Sequence, residues 1–286
     1  MSEFEKELST ARLLYDQHKY EEAGKAYLRI LSLAENNQDK SIIWAELCWT
    51  FFKMNSFQQC LEAAQNVMEL DAHYGAKEDL YRLMGYSYIA TGDNKNAEKY
   101  LLESLKIENK SHKQQFIYYE LAKIYFRREA YLKSLENIDK VETFFEMQSK
   151  DYWFSALFFK GFIRYYQKDL AESERIFNLI VNSSDQSGIQ ANGFYGLAYV
   201  AFENKKYLDA INLCEKVTKL NPGFYDMESL GFLMAASFFY LNRFDIFEMY
   251  YNEIRKKFPK GRYEKELSAL KKQVPVKESQ ESGKKE

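Results

Sequence analysis

A small residue returns along the 286-residue chain at Ala23, Cys60, Ala97, Ser134, Ser173 and Ala210, with Phe247 as an aromatic substitute, in steps of 37, 37, 37, 39, 37 and 37. A fixed period of this length marks a repeat architecture, because a supersecondary unit that cannot bury its apolar face alone is covered by the next copy. Each small residue stands three places after Tyr20, Phe57, Asn94, Tyr131, Leu170, Tyr207 or Phe244, and four before Tyr27, Ala64, Leu101, Ile138, Phe177, Cys214 or Tyr251. Spacings of three and four put these side chains on one helical face. A second periodic segment lies upstream in each unit, as in Tyr81, Met84, Gly85 and Tyr88, or Phe194, Leu197, Ala198 and Ala201. Each unit reads as helix, tight turn, helix, and the chain as an all-α solenoid of stacked antiparallel helix pairs.

The unit in the middle of the first half carries Tyr81, Met84-Gly85, Tyr88, Gly92-Asp93, Ala97, Leu101, Ser104 and Asn109 in order. A later unit carries Phe194, Leu197-Ala198, Tyr207, Ala210, Val217 and a closing Asn221-Pro222, and an earlier one Trp44, Leu47-Cys48, Phe51, Phe57 and Val67. With this pattern the chain resembles the tetratricopeptide repeat family over residues 4–261. The resemblance implies a right-handed superhelix with seven units at about 4–37, 41–74, 78–111, 115–148, 154–187, 191–224 and 228–261. A capping helix at 262–272 follows, with Tyr263, Leu267 and Leu270 on one face. Two departures stand out: the period exceeds the usual 34 or so residues, which calls for an extra helical turn or a longer connection, and Arg164 stands where an apolar residue is expected.

Repeats remove the two-domain inference that 286 residues otherwise suggest, so residues 1–272 read as one solenoid. Residues 273–286, nearly devoid of apolar side chains, read as a disordered tail. Twelve glycines and three prolines leave long helices uninterrupted, with breakers gathered at unit boundaries such as Asn36-Asn37-Gln38-Asp39 and Asn221-Pro222-Gly223. Forty basic and 42 acidic residues, a net charge of −2, give no single-sign field to draw nucleic acid or anionic lipid. The start is acidic where a secretory signal is basic and then apolar, with Ser2 and Glu5 spaced as a capping box. The longest apolar run, Leu230 to Leu241, is too short for a bilayer. A cytoplasmic protein with no membrane insertion is expected. Cys48, Cys60 and Cys214 fall on packing positions, and His18, His73 and His112 lie in separate units without metal-ligand spacing. No phosphate-binding loop, nucleophile elbow or metalloprotease motif is present, so neither enzymatic activity nor a cofactor is expected.

What exceeds background is the aromatic content of the first helices, which by the resemblance line the concave surface. One row runs Tyr15, Phe52, Ile89, Phe126, Tyr165, Phe202, Phe239; one turn earlier come Arg12, Trp49, Tyr86, Lys123, Phe162, Tyr199, Ala236; before those stand Leu8, Ala45, Arg82, Tyr119, Phe158, Tyr195, Phe232. Rings at helical spacing also suit a core, and a longer repeat can rotate the first row into packing between neighbouring helices. The two earlier rows mix rings with Arg12, Arg82 and Lys123 and read as a partly solvated face. Trp49, Tyr86, Tyr119, Lys123, Phe158, Phe162, Tyr195, Tyr199 and Phe232 are the candidate partner-binding residues, since exposed rings are strong binding anchors. The expected occupant is a peptide or amphipathic helix of another protein. The basic clamp by which some family members hold acidic tails is missing, because Leu8, Arg12, Glu46, Asp79 and Leu83 occupy its positions. The function expected is a protein-binding scaffold or adaptor within a larger assembly. The alternatives are a peptide-sensing regulator and a self-associating component of an envelope, secretion or motility complex.

Overall fold

The structure is a computed structural model and describes residues 3–275; Ser2 of the expected capping box and residues 276–286 lie outside them. Among the described residues there are fifteen helices and no strand. Seven hairpins follow one another: α1 (Glu3–Asp16) with α2 (Tyr20–Leu31), α3 (Asn37–Lys53) with α4 (Phe57–Leu70), α5 (Lys77–Ala90) with α6 (Asn94–Ile107), α7 (Ser111–Arg127) with α8 (Tyr131–Gln148), α9 (Lys150–Tyr166) with α10 (Leu170–Asn182), α11 (Ser187–Glu203) with α12 (Tyr207–Leu220), and α13 (Met227–Tyr240) with α14 (Phe244–Lys257). A single helix α15 (Glu264–Lys271) closes the series. The chain divides within α8 into two compact units, residues 1–144 and 145–286. In the first, α3 packs on α4 and α5, and α5 on α6; in the second, α11 packs on α9, α10, α12 and α13, and α13 on α14 and α15.

The 37-residue ladder is the contact line of each hairpin. Ala23, Cys60, Ala97, Ser134, Ser173, Ala210 and Phe247 are all fully buried. Twelve residues before each stands another small residue on the first helix: Ala11, Cys48, Gly85, Ala122, Gly161, Ala198 and Ala235, every one buried. Small against small lets the two backbones approach closely. The serine rungs satisfy their buried hydroxyls on that backbone, Ser134 Oγ donating to the Ala122 carbonyl at 2.8 Å and Ser173 Oγ to that of Gly161 at 2.9 Å. The same line brings Cys48 Sγ within 3.4 Å of Cys60 Sγ. Sharing a proton with Cys60, together with burial, pushes the Cys48 thiol up, and burial, helped by Glu215, pushes Cys214 up to about 12. These thiols pack as small hydrophobes.

The period also sets the turns. His18, Asn55, Gly92, Glu129, Lys168, Lys205 and Asn242 all have φ between 57° and 84°, and they recur in the same steps as the ladder. In every hairpin the left-handed residue donates to the carbonyl three places back, and the next residue to the carbonyl five back, as in Lys205 to Phe202 and Lys206 to Ala201, both at 2.9 Å. This is the Schellman termination of a helix. The added length of the repeat lies in the first helix where that helix is α3, α7, α9 or α11, each 17 residues, and in the connections 71–76 and 221–226 before the 14-residue α5 and α13. The side chains of Asn36, Asp93, Asp169 and Asp226 cap the starts of α3, α6, α10 and α13. At the carboxyl end Leu267 is buried among Phe247, Tyr251 and Ile254, and Val274, inside the expected tail, packs on the same cluster.

Candidate partner-binding face on the first helices

The outermost aromatic row seals the turns. Tyr15, Phe52, Phe126, Phe202 and Phe239 each precede a left-handed residue by three and meet the ring that opens the second helix, Tyr20, Phe57, Tyr131, Tyr207 and Phe244. Their centroids lie 5.3 to 6.1 Å apart with planes at 62° to 71°. That is the favoured edge-to-face geometry.

In the first unit, Trp49 and Tyr86 are half-buried at the margins of the core, with Tyr86 6.3 Å from Phe52. Tyr119 is 6% exposed. Lys123 lies over the Tyr119 ring at 5.2 Å and pairs with Glu120 at 2.9 Å. The charged members of these rows are paired too: Arg12 with Glu46 at 2.6 Å, and Arg82 with Asp79 at 2.7 Å and with the buried Glu108 at 3.4 Å. Lys113 reaches the same Asp79 at 2.6 Å. This part of the face is a mixed surface whose charges are already satisfied.

In the second unit Phe158, Phe162, Tyr195 and Tyr199 form one continuous cluster, which Phe232 joins through Tyr263. Phe162, 6% exposed, stands 5.1 Å from Phe177, 5.8 Å from Tyr195 and 5.6 Å from Tyr199. Tyr195, 4% exposed, stacks on Phe158 and lies 5.0 Å from Phe224. Phe158, Tyr199 and Phe232 are half-buried. Of the nine candidates, Tyr119, Phe162 and Tyr195 are thus packed inside, where a partner could touch at most an edge. Trp49, Tyr86, Lys123, Phe158, Tyr199 and Phe232 keep solvent-facing surface. Beside Phe158 opens a cleft of about 670 Å³, lined also by Phe154, Phe159, Ile189 and Tyr225, with Asp151, Ser155, Gln186 and Asn192 among its polar groups.

Beneath Tyr195 and Tyr199 runs a polar network outside the candidate set. The Tyr195 hydroxyl donates to Asp226 Oδ2 at 2.7 Å, as does Ser229 Oγ at 2.8 Å. The Tyr263 hydroxyl lies 3.2 Å from that of Tyr199 and 2.9 Å from Ser229 Oγ. Arg262 forks onto Asp226 and Glu228. Burial alone would raise the Asp226 carboxyl, but bonds from Tyr195 and Ser229 and the charge of Arg262 hold it below the usual carboxylate range. Burial raises both tyrosines, Tyr195 further through Tyr199 and Tyr199 further through Tyr263. Tyr263 stands 37 residues after Asp226, and carrying the ladder one step beyond the seventh unit is the signal that finds it. Among the described residues no group of three or more His, Cys, Asp or Glu could hold a metal ion, and no helix is long and apolar enough to cross a membrane.

Residues 79–111, the third hairpin, match the tetratricopeptide repeat family model. No curated protein matches the chain by sequence. Among solved structures, the fold is similar to a tetratricopeptide repeat protein from Parabacteroides merdae, at a TM-score of 0.61 and 16% identity over 95% of this chain and 98% of that one. It is similar to the apo form of the quorum sensor NprR from B. thuringiensis, at 0.68 and 11% over 93% and 79%. It is also similar to YrrB, described as a TPR protein with an unusual peptide-binding site, at 0.53 and 17% over 70% and 94%.

Proposed function

We propose that this tetratricopeptide-repeat chain is a non-enzymatic scaffold that holds a segment of another protein against the first helices of its hairpins. The observation that carries the reading is the half-exposed ring surface of those helices, above all Phe158 at the 670 Å³ cleft, with Tyr199 and Phe232 further along the same face. Rings anchored on rigid helices offer large contact area at small entropic cost. Neighbours of the same fold include a quorum sensor and a protein with a peptide-binding site, which favours a peptide over a folded domain as occupant. The test is affinity capture from the native cell with the intact chain and with two variants, Trp49→Lys with Tyr86→Lys, and Phe158→Lys. At least one variant is expected to lose a defined set of proteins while its melting temperature stays within about 3 °C of the parent, the shift of roughly 1 kcal/mol in a chain of this size. Identical captured sets from all three proteins would refute the proposal.

A further inference from the structure

One step of the hairpin contact line carries more chemistry than packing asks for. The line needs small residues, and Ala11 with Ala23 and Ala198 with Ala210 meet that need with methyl groups alone. In the second hairpin both members carry sulfur: Cys48 on α3 and Cys60 on α4, fully buried, with their Sγ atoms 3.4 Å apart. The two backbones here lie within one side chain of each other, since in equivalent pairs a serine of the second helix reaches the carbonyl of the first, Ser134 to Ala122 and Ser173 to Gly161. Disulfide sulfurs stand about 2 Å apart, so bonding asks for about 1.4 Å of closure from 3.4 Å, within reach of rotation about the two Cα–Cβ bonds. Ser87 Oγ on α5 donates to the Cys60 sulfur at 3.3 Å. The hydrogen bond shared with Cys48 lowers the Cys60 thiol against the burial that would raise it, and Ser87 adds to the lowering. Cys60 is therefore the member of the pair better able to carry a negative charge.

We infer that Cys48 and Cys60 form an oxidative modification site, which hydrogen peroxide converts reversibly into an intrachain disulfide tying α3 to α4. The Cys60 thiolate attacks one peroxide oxygen and the O–O bond breaks, leaving a sulfenic acid at Cys60 and a hydroxide that takes up the proton Cys60 released. The Cys48 sulfur then attacks the Cys60 sulfur, its proton leaves with the departing hydroxide, and the S–S bond forms. Two thiols and one hydrogen peroxide give one disulfide and two waters. A dithiol reductant restores both thiols by exchange. Burial sets the pace, because the oxidant reaches the sulfurs in brief local openings of the hairpin. Cys214 lies in the other compact unit, its thiol pushed up to about 12 by burial and by Glu215, and serves as an internal control. The scaffold reading needs neither thiol and stands or falls separately.

The test exposes the full-length, freshly reduced protein to hydrogen peroxide without denaturant, then blocks free thiols and digests with trypsin in the absence of reductant for mass spectrometry. Cleavage after Lys53 separates the two cysteines, so the bond reads as two peptides held together and lighter by two hydrogens. This species is expected to form at least about tenfold faster than Cys214 loses its thiol, and dithiothreitol is expected to abolish it. Cys48→Ala places at this position the residue that Ala11, Ala122, Ala198 and Ala235 supply in other hairpins. It is expected to form no crosslink and to gain oxygen at Cys60 instead. The oxidised parent is expected to melt above the reduced protein, since the bond restricts the unfolded chain. Thiols still free at Cys48 and Cys60 when Cys214 has reacted, oxygen added to them in the parent without a crosslink, or a bond formed only between chains or only in denaturant overturns the inference. A variant whose Cys60 stays unoxidised also overturns it, as does an oxidised protein that melts below the reduced one.

Discussion

At the level of single residues, two glycines decide the packing of the second unit. Phe177 is fully buried, and its ring lies between Gly161 on α9 and Gly196 on α11; a Cβ at Gly161 would come 2.7 Å from that ring, and one at Gly196 closer still. In an exposed helix, glycine to alanine gains up to about 1 kcal/mol, whereas overpacking a filled core costs about 1–3 kcal/mol. The second effect wins here because the ring has no space to retreat into. Gly196→Ala is therefore expected to destabilise the second unit by about 1–2 kcal/mol in a denaturant titration, and a neutral or stabilising result would mean that Phe177 is loosely held. The same close packing changes what substitution at Tyr199 means: its hydroxyl meets Tyr195 and Tyr263, so replacing it with serine removes structure as well as any contact surface.

At the level of the helical hairpin, the recurring device is the left-handed residue that ends each first helix. Only one of the seven is glycine, Gly92. A residue with a Cβ is held in this conformation at a cost of about 1–2 kcal/mol, offset by the two Schellman hydrogen bonds and, in five hairpins, by the edge-to-face ring pair across the turn. Lys205, exposed at φ 59°, is a clean place to remove that cost. Lys205→Gly is expected to stabilise by about 0.5–1 kcal/mol, since relieved strain exceeds the added freedom of the unfolded chain. Thermal melting checks it, and a fall in melting temperature would show that the lysine stem contributes more than the backbone strain it imposes.

At the level of the whole molecule, a repeat array is stabilised by nearest-neighbour contacts, so a change at one end is felt locally. The carboxyl-terminal closure is held by Tyr263, stacked on Phe232 and bonded to Tyr199 and Ser229, and by Arg262 on Asp226 and Glu228. Tyr263→Ala removes all the contacts of the ring at once. Native-state hydrogen exchange is expected to show amides of α13 and α14 losing protection by tenfold or more while those of α1 to α6 keep theirs. A uniform loss across the chain would mean that it opens as a single cooperative body.

The hairpins, their turns and their contact lines were legible in the sequence, because each is set by residues three, four or twelve apart within one hairpin. Small residues must meet where backbones approach, and the ladder at Ala23, Cys60 and Ala97 displays that requirement directly. The fate of individual rings was not legible. Phe158 and Tyr195 occupy equivalent positions on equivalent helices, yet one borders a cleft and the other is buried under Phe224 and bonded to Asp226. Exposure at such a position depends on which side chain the next connecting segment lays over it, and that contact joins residues about thirty apart across a helix interface, where only the tertiary structure decides.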